Sequence, residues 1–479
     1  MIRAQRSLEA EWRAREGLSL LDQVSGVLKT ACLIYVLWLP VSRGDVLYPV
    51  LALLAAVSAF DVLRTPPRLE RSFVLGVSTL IGVIALGLMV GAVRDVPGTV
   101  HQAIVWLGSM TIWGLWALSL RRAQLKLVFH AIVFVVGLNS LLMVVYIGGE
   151  LGYLPAVIPE AVMEGQGAGI GTDPTGATAI RFHSLSTLAA GVPLLVAMAV
   201  SPRNELFPSR WVLAVCAVLA MVAVTLSGRR AILAVALLAP VIYAVLEVRF
   251  RRIPWGRVAT HRATVPTLLS AAGVVALALT LSGSLRARLR QLWADTVASY
   301  LGIGSVDVVA GSDNRDRVEQ TGHLLAAWVD RPLFGHGIGA VVKDGYYRSQ
   351  ERPWMFELQY HLWLFNAGIV GVAIGAAALL LLARSVRRTA RVVDAATRGA
   401  LATSATAALC LLIANATNPY LQAVGHWWGV TLVFGIAVAA WNSRPPEGAG
   451  PQGRPEAGTI PLDAEGAGVV RRAVRPVAP

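Results

Sequence analysis

The sequence has few charged residues and few cysteines, and both shortages narrow the class of protein. Charged residues make up 15% of the 479 residues, whereas 56% are hydrophobic, and this balance predicts a polytopic membrane protein. The three cysteines, Cys32, Cys216 and Cys410, all lie inside apolar runs. They therefore predict neither a disulfide framework nor a metal site, and packing is the role expected of them.

Several motifs that would identify other kinds of protein are also missing. The chain contains no Walker loop, no dinucleotide fingerprint and no Asp-x-Asp pair in a metal-binding setting on its long loops, so no metal or cofactor is expected. No inverted repeat is visible, and charge is nearly absent from the middle of the apolar runs. Lys29 and Asp61 lie close enough to the ends of their runs to reach the membrane interface. This pattern disfavours an ion-coupled transporter.

Apolar runs long enough to cross roughly 30 Å of hydrocarbon predict about twelve transmembrane helices. They are 25–41, 47–63, 73–93, 102–120, 127–147, 184–201, 211–227, 231–248, 265–283, 360–383, 399–416 and 425–441. With the amino terminus in the cytoplasm, the basic connections at 64–71, 121–126, 249–257 and 384–391 all face inside, as the positive-inside rule requires. The net charge of +14 is then a consequence of topology, and it requires no nucleic-acid partner.

Both ends of the chain are expected to lie in the cytoplasm. Residues 1–24 are charged and lead into a full-length span without a small-residue cleavage site, so the first helix is expected to be an uncleaved insertion signal. Residues 443–479 are rich in Pro, Gly, Ala and Arg and have no apolar period, which predicts a disordered tail. Between these segments, residues 25–442 form the predicted all-α transmembrane domain.

Two predicted outer loops, 148–183 and 284–357, are too long to be simple turns. In the second, Asp313 can cap a helix that begins near Asn314, and a proline and glycine turn at 332–339 follows it. The predicted apolar face of this helix consists of Val318, Leu324, Leu325 and Trp328. Such a helix can close over a cavity as a lid or lie on lipid, and the pattern favours neither.

Cations on the predicted outer side are the least expected feature of the chain. They are Arg181 before the sixth span, Arg229 and Arg230 between the seventh and eighth spans, and Arg315 and Arg317 at the start of the loop helix. A guanidinium group stays charged and its planar fork matches phosphate oxygens, so several around one cavity would bind a diphosphate. A single one more commonly contacts a lipid headgroup or forms a surface ion pair.

Groups that could accept a proton lie near the end of the second outer loop. Glu357 stands where the loop enters the tenth span, and His361 follows by four residues, so both would lie on one helix face. Either could take the proton from an attacking sugar hydroxyl, or the two could form a local pair that anchors the helix end. His183 presents the same choice. Structural roles are expected of His336 and His426.

Several of these segments together resemble the O-antigen ligase and polymerase superfamily. The turn 226–235, Leu-Ser-Gly-Arg-Arg-Ala-Ile-Leu-Ala-Val, is similar to the serine-arginine-small-aliphatic turn of that superfamily, with Arg229 at its arginine. The outer-loop signature is matched by Arg317, Trp328, Pro332, Leu333, Gly335, Gly337 and Gly339. The span from Tyr360, with Gly-Ile-Val-Gly at 368–371, resembles the helix that follows, and Arg-Phe-His-Ser at 181–184 resembles the motif before the sixth span.

The resemblance implies an integral membrane glycosyltransferase of the GT-C type in the bacterial inner membrane. It would take glycan from undecaprenyl diphosphate at the periplasmic face without a metal, and direct displacement would invert the anomeric configuration. Arg229 and Arg317 would hold the diphosphate, with Arg181 as a third group and Arg230 and Arg315 beside them. The expected partners are the lipid-linked glycan, membrane lipid and, as a further candidate, a regulator of chain length.

One departure separates the branches of the superfamily. Ligases usually place a histidine eleven positions before the first glycine of the Gly-x-x-Gly pair, whereas Glu357 occupies that position here. The segment 356–360, Phe-Glu-Leu-Gln-Tyr, is more similar to the polymerase branch. A polysaccharide polymerase is therefore favoured. The alternatives are an O-antigen ligase acting on lipid A-core, a protein O-oligosaccharyltransferase, and a flippase or other transporter.

Overall fold

The described part of the chain is helical apart from one short hairpin. The computed structural model describes residues 19–41, 44–150, 152, 154–158, 169–172, 178–181, 185–227, 229–251, 312–343, 345–347 and 349–443, and for 169–172, 178–181, 185, 226, 230 and 312–315 it describes the backbone alone. The predicted span 265–283, most of the amino-terminal segment 1–24 and the predicted tail beyond Ser443 lie outside these residues.

Thirteen α-helices and two strands are present in the described ranges. The helices are α1 Leu20–Trp38, α2 Gly44–Arg64, α3 Arg71–Val93, α4 Thr99–Ala103, α5 Ser109–Ser119, α6 Arg122–Glu150, α7 Leu185–Val200, α8 Arg210–Leu226, α9 Arg230–Arg251, α10 Ser312–Val329, α11 Gln359–Ala390, α12 Ala395–Ala414 and α13 Trp428–Asn442. A π-helical turn, Ile104–Gly108, joins α4 to α5. The strands β1 Gly169–Thr172 and β2 Thr178–Arg181 are antiparallel, with Gly169 opposite Arg181.

Seven of the described helices are long and apolar enough to cross a membrane, namely α1, α2, α3, α6, α9, α11 and α12. Three more, α7, α8 and α13, are apolar but shorter. Every predicted span except 265–283 overlaps a described helix, although the span predicted at 102–120 is divided among α4, the π turn and α5. The long apolar helices indicate a membrane-embedded protein, because a helix satisfies its backbone groups internally and can therefore cross lipid. The number of twelve spans stays a prediction.

One end of the bundle carries most of the arginines of the short connections, and we call it the basic face. Ion pairs join helix termini there that are distant in sequence. The pairs are Asp22–Arg64, Glu70–Arg388 and Arg122–Asp394. The last helix ends on the same face, since the Asn442 Oδ1 accepts from the backbone N–H of Arg68 at 2.6 Å.

The opposite ends of the same helices meet at what we call the site face. The end of α1 contacts the start of α7 there, because Thr187 Oγ1 donates to the Leu37 carbonyl at 2.8 Å. The residue after α3, Arg94, donates from Nη1 to the Gly335 carbonyl at 2.8 Å. Single helices such as α1 and α3 therefore run from the basic face to the site face, and the glycine turn after α10 lies at the site face.

Helix α11 is broken at Gly368, and the glycine turn repairs the break. Gly368 has φ 64° and ψ −177°, a conformation that residues with a side chain rarely adopt. Four backbone hydrogen bonds then join the turn to the two halves of the helix. They are His336 N to Phe365 O at 2.9 Å, Gly337 N to Asn366 O at 2.9 Å, Ile369 N to Pro332 O at 2.9 Å and Val370 N to Leu333 O at 3.1 Å. The groups that the break leaves without helical partners are thus satisfied.

The same turn also packs against α3 at very short range. Gly337 has φ 99°, and a Cβ atom there would lie 2.6 Å from the Gly91 Cα. Ile338 N donates to the Gly87 carbonyl at 2.9 Å. Both glycines on α3 are needed for this approach, since a Cβ at Gly87 would lie 2.8 Å from Ile338 side-chain atoms. The turn is therefore fixed to two transmembrane helices at once.

The loop helix α10 differs from its prediction in its start and in its buried face. It begins at Ser312, two residues before the predicted start, and the side chain of Asp313 lies outside the described residues. Leu324 is fully buried, whereas Val318 is 48% exposed, so the residues of the predicted apolar face are not all buried. The buried side also includes Gln320, because its side chain accepts a hydrogen bond from the backbone just before α11.

Lys29 and Asp61 do not reach the interface, which corrects the prediction. Each side chain is only 2% exposed, and Lys29 Nζ lies 2.8 Å from Asp61 Oδ2. Lys29 also donates to the carbonyl and the hydroxyl of Ser119, both at 3.1 Å. Because α5 ends at Ser119, its unpaired carbonyl offers the lysine a partner inside the bundle.

Candidate functional site

An ion pair between Arg317 and Glu357 forms the centre of the candidate site. Arg317 Nε donates to Glu357 Oε2 at 2.9 Å, and the two side chains are 19% and 15% exposed. Arg317 lies in the first half of α10, and Glu357 immediately precedes Leu358, the N-cap of α11. The backbone N–H of Glu357 donates to Gln320 Oε1 at 2.9 Å. Gln320, one turn after Arg317, therefore holds the two residues in register.

The connection between α12 and α13 forms a second wall beside Glu357. Gln422 Nε2 donates to the Phe356 carbonyl at 3.3 Å and to Gln359 Oε1 at 2.9 Å. Asn415 Oδ1 in turn accepts from the backbone N–H of Leu421 at 3.0 Å. These bonds fix two short 3-10 turns, Tyr420–Gln422 and Val424–His426, against the residues on either side of Glu357.

Three charged groups of the site act electrostatically on the phenol of Tyr420. Burial raises the pKa of Tyr420 to about 12, the guanidinium groups of Arg229 and Arg317 oppose that rise, and the carboxylate of Glu357 adds to it. Charges act on one another over on the order of 10 Å at physiological ionic strength. Arg229, Arg317 and Glu357 therefore lie within electrostatic range of one tyrosine hydroxyl, although they come from three separate segments of the chain.

Arg229 reaches the site because α9 starts beside the end of α12. Cys410 Sγ donates to the Val235 carbonyl at 3.4 Å. Tyr420 packs against the small apolar cluster around these two residues. Arg229 itself is half-buried just before α9, and its carbonyl accepts from the backbone N–H of Leu233 at 3.1 Å. Helix packing in the bundle thus carries the arginine to the site face.

Both site arginines keep donors that no described residue engages. Within the described ranges, the guanidinium of Arg229 and the terminal Nη atoms of Arg317 have no hydrogen-bond partner. The basic face differs, since Arg64, Arg122 and Arg388 there are each paired with a carboxylate. Partly buried guanidinium groups with unengaged N–H donors are suited to bind an anion with several oxygen atoms.

The other predicted site residues are less well placed or less fully described. Glu357 and His361 do not share a helix face, because Glu357 lies ahead of α11 rather than on it, which corrects the prediction. His361 is half-buried and makes no hydrogen bond, ion pair or ring contact with the described residues. For Arg181, Arg230 and Arg315 the structure gives the backbone alone. His183 lies outside the described residues.

His336 has the structural role expected of it. Its Nε2 lies 2.7 Å from the Ala327 carbonyl, and its ring stacks on Phe365 at 4.7 Å between centroids. Burial lowers the pKa of His336, the hydrogen bond to Ala327 opposes that effect, and the charges of Arg331 and Arg94 add to it. The neutral ring therefore closes the glycine turn against α10.

No sequence pattern indicated a group formed by Ser186, Tyr420 and His426. His426 Nδ1 lies 2.7 Å from the Tyr420 carbonyl, and its Nε2 lies 2.5 Å from Ser186 Oγ. The three residues come from the start of α7 and from the connection before α13. The Asn and Pro residues at 415–419 indicate a turn, but they do not reveal what the turn approaches.

Comparison with known proteins adds no assignment. No family model matches the chain, and no curated protein matches it. The chemistry of the site therefore follows from its own residues: two guanidinium groups that can bind phosphate oxygens, one carboxylate, one partly buried phenol and one buried imidazole.

Proposed function

We propose that the protein is a membrane glycosyltransferase that joins lipid-linked oligosaccharide repeats into a polysaccharide. The donor would be glycan on undecaprenyl diphosphate, and the acceptor the free end of another lipid-linked repeat. The observation that carries the proposal is the pair of partly buried guanidinium groups, Arg229 and Arg317. Both act on Tyr420, and both keep N–H donors that no described residue engages. Such a pair stabilises the charge that develops on a departing diphosphate.

The distribution of charge supports a periplasmic site in the bacterial inner membrane. Cytoplasmic connections carry an excess of Lys and Arg, and the ion-paired arginines between the helices lie on the basic face. The site lies at the opposite ends of the same helices, so it would open to the periplasm. Both the start of α1 at Asp22 and the end of α13 at Asn442 lie on the basic face. This arrangement agrees with cytoplasmic termini.

The reaction would be a direct displacement without a metal. The diphosphate binds to Arg229 and Arg317, and an acceptor hydroxyl attacks the anomeric carbon from the opposite side, which inverts its configuration. Glu357 and His361 are the candidate bases from the sequence. The ion pair with Arg317 also gives Glu357 a second role, because it holds the guanidinium plane at a fixed angle to the phosphates.

Replacement of Arg317 by alanine tests the assignment. In cells that make the polysaccharide, lipid-linked single repeats should accumulate and long chains should disappear, since loss of one group that stabilises the leaving anion costs about 10²-fold to 10³-fold in rate. Arg331→Ala is the matched control, because Arg331 is an exposed arginine just after the same helix. Equal membrane levels of both variants are required. An unchanged chain-length ladder in Arg317→Ala would contradict the proposal.

A ligase would use most of the same site and differ in its acceptor. Glu357 at the position where ligases usually carry histidine favours the polymerase. Loss of a ligase would leave finished polymer on the prenyl carrier and none on lipid A. Loss of a protein O-oligosaccharyltransferase would leave a glycoprotein without its glycan. Reconstitution with defined lipid-linked oligosaccharide separates the classes, because only a polymerase forms oligomers without a second kind of acceptor.

A further inference from the structure

Ser186 and His426 have the geometry of a proton-accepting pair. A carbonyl oxygen can only accept a hydrogen bond, so His426 Nδ1 must donate to the Tyr420 carbonyl at 2.7 Å. The neutral ring then has a lone pair on Nε2, and Ser186 Oγ donates its proton to that atom at 2.5 Å. The backbone carbonyl thereby fixes the tautomer that a base requires.

This pair belongs to the diphosphate site through Tyr420. The carbonyl of Tyr420 bonds to His426, and its side chain packs against the cluster at the start of α9, which Arg229 directly precedes. Gln422 of the same connection bonds to the residues that flank Glu357. The rings of Tyr420 and His426 meet edge to face, with centroids 6.3 Å apart. The connection that carries Tyr420 and His426 therefore links the imidazole to the residues around Arg229 and Glu357.

The two bases expected from the sequence have weaker geometry. Glu357 is engaged by the guanidinium of Arg317, so its proton-accepting oxygen faces a competing charge. His361 has no hydrogen bond with the described residues that would fix its tautomer. Burial lowers the pKa of His426 to about 4, and its bond to Tyr420 opposes that effect. The ring is therefore neutral before reaction, and negative charge growing on the nearby diphosphate favours its protonation.

We propose that Ser186 and His426 take the proton of the acceptor hydroxyl in the glycosyl transfer, a step that depends on the proposed function. The acceptor oxygen forms a bond to the anomeric carbon as the bond from that carbon to the diphosphate oxygen breaks. The electron pair of the broken bond stays on the diphosphate, next to Arg229 and Arg317. The acceptor proton passes to Ser186 Oγ, whose own proton moves to His426 Nε2. Deprotonation of the imidazolium by solvent completes the cycle.

The test uses variants that separate chemistry from structure. His426→Asn keeps an amide N–H that can donate to the Tyr420 carbonyl, but it removes the proton-accepting nitrogen. Ser186→Ala removes the relay. Thr187→Val is the matched control, since the neighbouring Thr187 is also buried and its hydroxyl donates to the Leu37 carbonyl at 2.8 Å. The assay is transfer by the full-length purified protein in liposomes, with a defined lipid-linked oligosaccharide and measurement of kcat and of KM for the donor.

His426→Asn and Ser186→Ala should each lower kcat by about 10²-fold to 10⁴-fold with little change in KM. The double variant should be no slower than the slower single variant, because the two groups act as one unit. Thr187→Val should keep the wild-type kcat. A wild-type kcat in His426→Asn, or a change confined to KM, overturns the inference. Retained anomeric configuration with a glycosyl group on Ser186 would overturn it too, because the serine would then be a nucleophile.

Failure of this inference is distinguishable from failure of the proposed function. If the wild-type protein does not join lipid-linked oligosaccharides at all, the proposed function is wrong. If the wild-type protein is active, Arg317→Ala is inactive and His426→Asn equals the wild type, only the proton-accepting role is wrong.

Discussion

Gly368 should tolerate no side chain, and alanine there is the sharpest test of the broken helix. The residue has φ 64°, and an added Cβ would lie 2.3 Å from the Leu333 carbonyl oxygen. Neither the backbone of Gly368 nor that of Leu333 can move without disturbing the hydrogen bonds between the glycine turn and α11. Gly375 provides a matched control, because it lies in the second half of the same helix and a Cβ there meets nothing within 4 Å.

The size of the effect follows from the geometry. A non-glycine residue in this backbone region costs on the order of 1–3 kcal/mol. Four backbone hydrogen bonds cross the break, and each contributes about 1 kcal/mol. If the clash breaks half of them, Gly368→Ala should lose roughly 3–5 kcal/mol of stability. Gly375→Ala should instead gain about 0.5–1 kcal/mol, since alanine is the better helix former.

Thermal unfolding of the two purified variants in the same detergent measures the difference. Gly368→Ala should melt well below the wild type, and Gly375→Ala should melt at or above it. Limited proteolysis provides a local readout, because a turn released from α11 should be cleaved near residues 332–339. A Gly368→Ala protein that melts at the same temperature as Gly375→Ala and resists cleavage would refute the account of the break.

Two further predictions concern buried ionisable groups. Lys29→Met should destabilise the protein by about 3–5 kcal/mol because it leaves Asp61 buried without its cation, and Lys29→Met with Asp61→Leu should recover most of that loss in thermal unfolding; a double variant no better than the single one would show that the pair is not the cause. Burial lowers the pKa of His426 to about 4, whereas the pKa of a histidine in the unfolded chain is near 6.5. The stability contributed by neutral, buried His426 should therefore be complete above about pH 6.5 and should disappear as the pH falls to about 4. The loss of folding stability at acid pH is on the order of a few kcal/mol, and it should be smaller in His426→Asn. Identical pH profiles of melting temperature in the wild type and the variant would contradict this prediction.

The helices could be predicted from sequence because lipid imposes a simple requirement of length and apolarity. The break in α11 could not be predicted in the same way. Gly368 stands inside a largely apolar run, and a glycine there is compatible with an ordinary helix. The non-helical backbone accompanies hydrogen bonds with the glycine turn, which is remote in sequence. The predicted position of the Lys29 side chain was wrong for a similar reason, because its partners Asp61 and Ser119 lie on helices that are distant in sequence.

The site was accessible to sequence reasoning only where residue type was unusual for its setting. Arginines on the predicted outer side are conspicuous, so Arg229 and Arg317 could be singled out. Their convergence on Tyr420 depends on how α9, α10 and α12 pack. Ser186 and His426 are ordinary residues 240 positions apart, and nothing in their local sequence distinguishes them from structural residues. The structure adds the part of the site that consists of hydrogen bonds between remote segments.

The attachment of the glycine turn to both α3 and α11 has a mechanical consequence for α10. This helix ends at Val329, three residues before the anchored turn, so a swinging motion that broke the contacts of Arg317 and Gln320 with Glu357 would pivot at that end. Arg317 lies twelve residues away, about 18 Å along the helix axis. A pivot of a few degrees would therefore carry this guanidinium by more than an ångström while the anchored end hardly moves. If the proposed function is correct, such a rotation of α10 about its anchored end would change the distance between Arg317 and a bound phosphate.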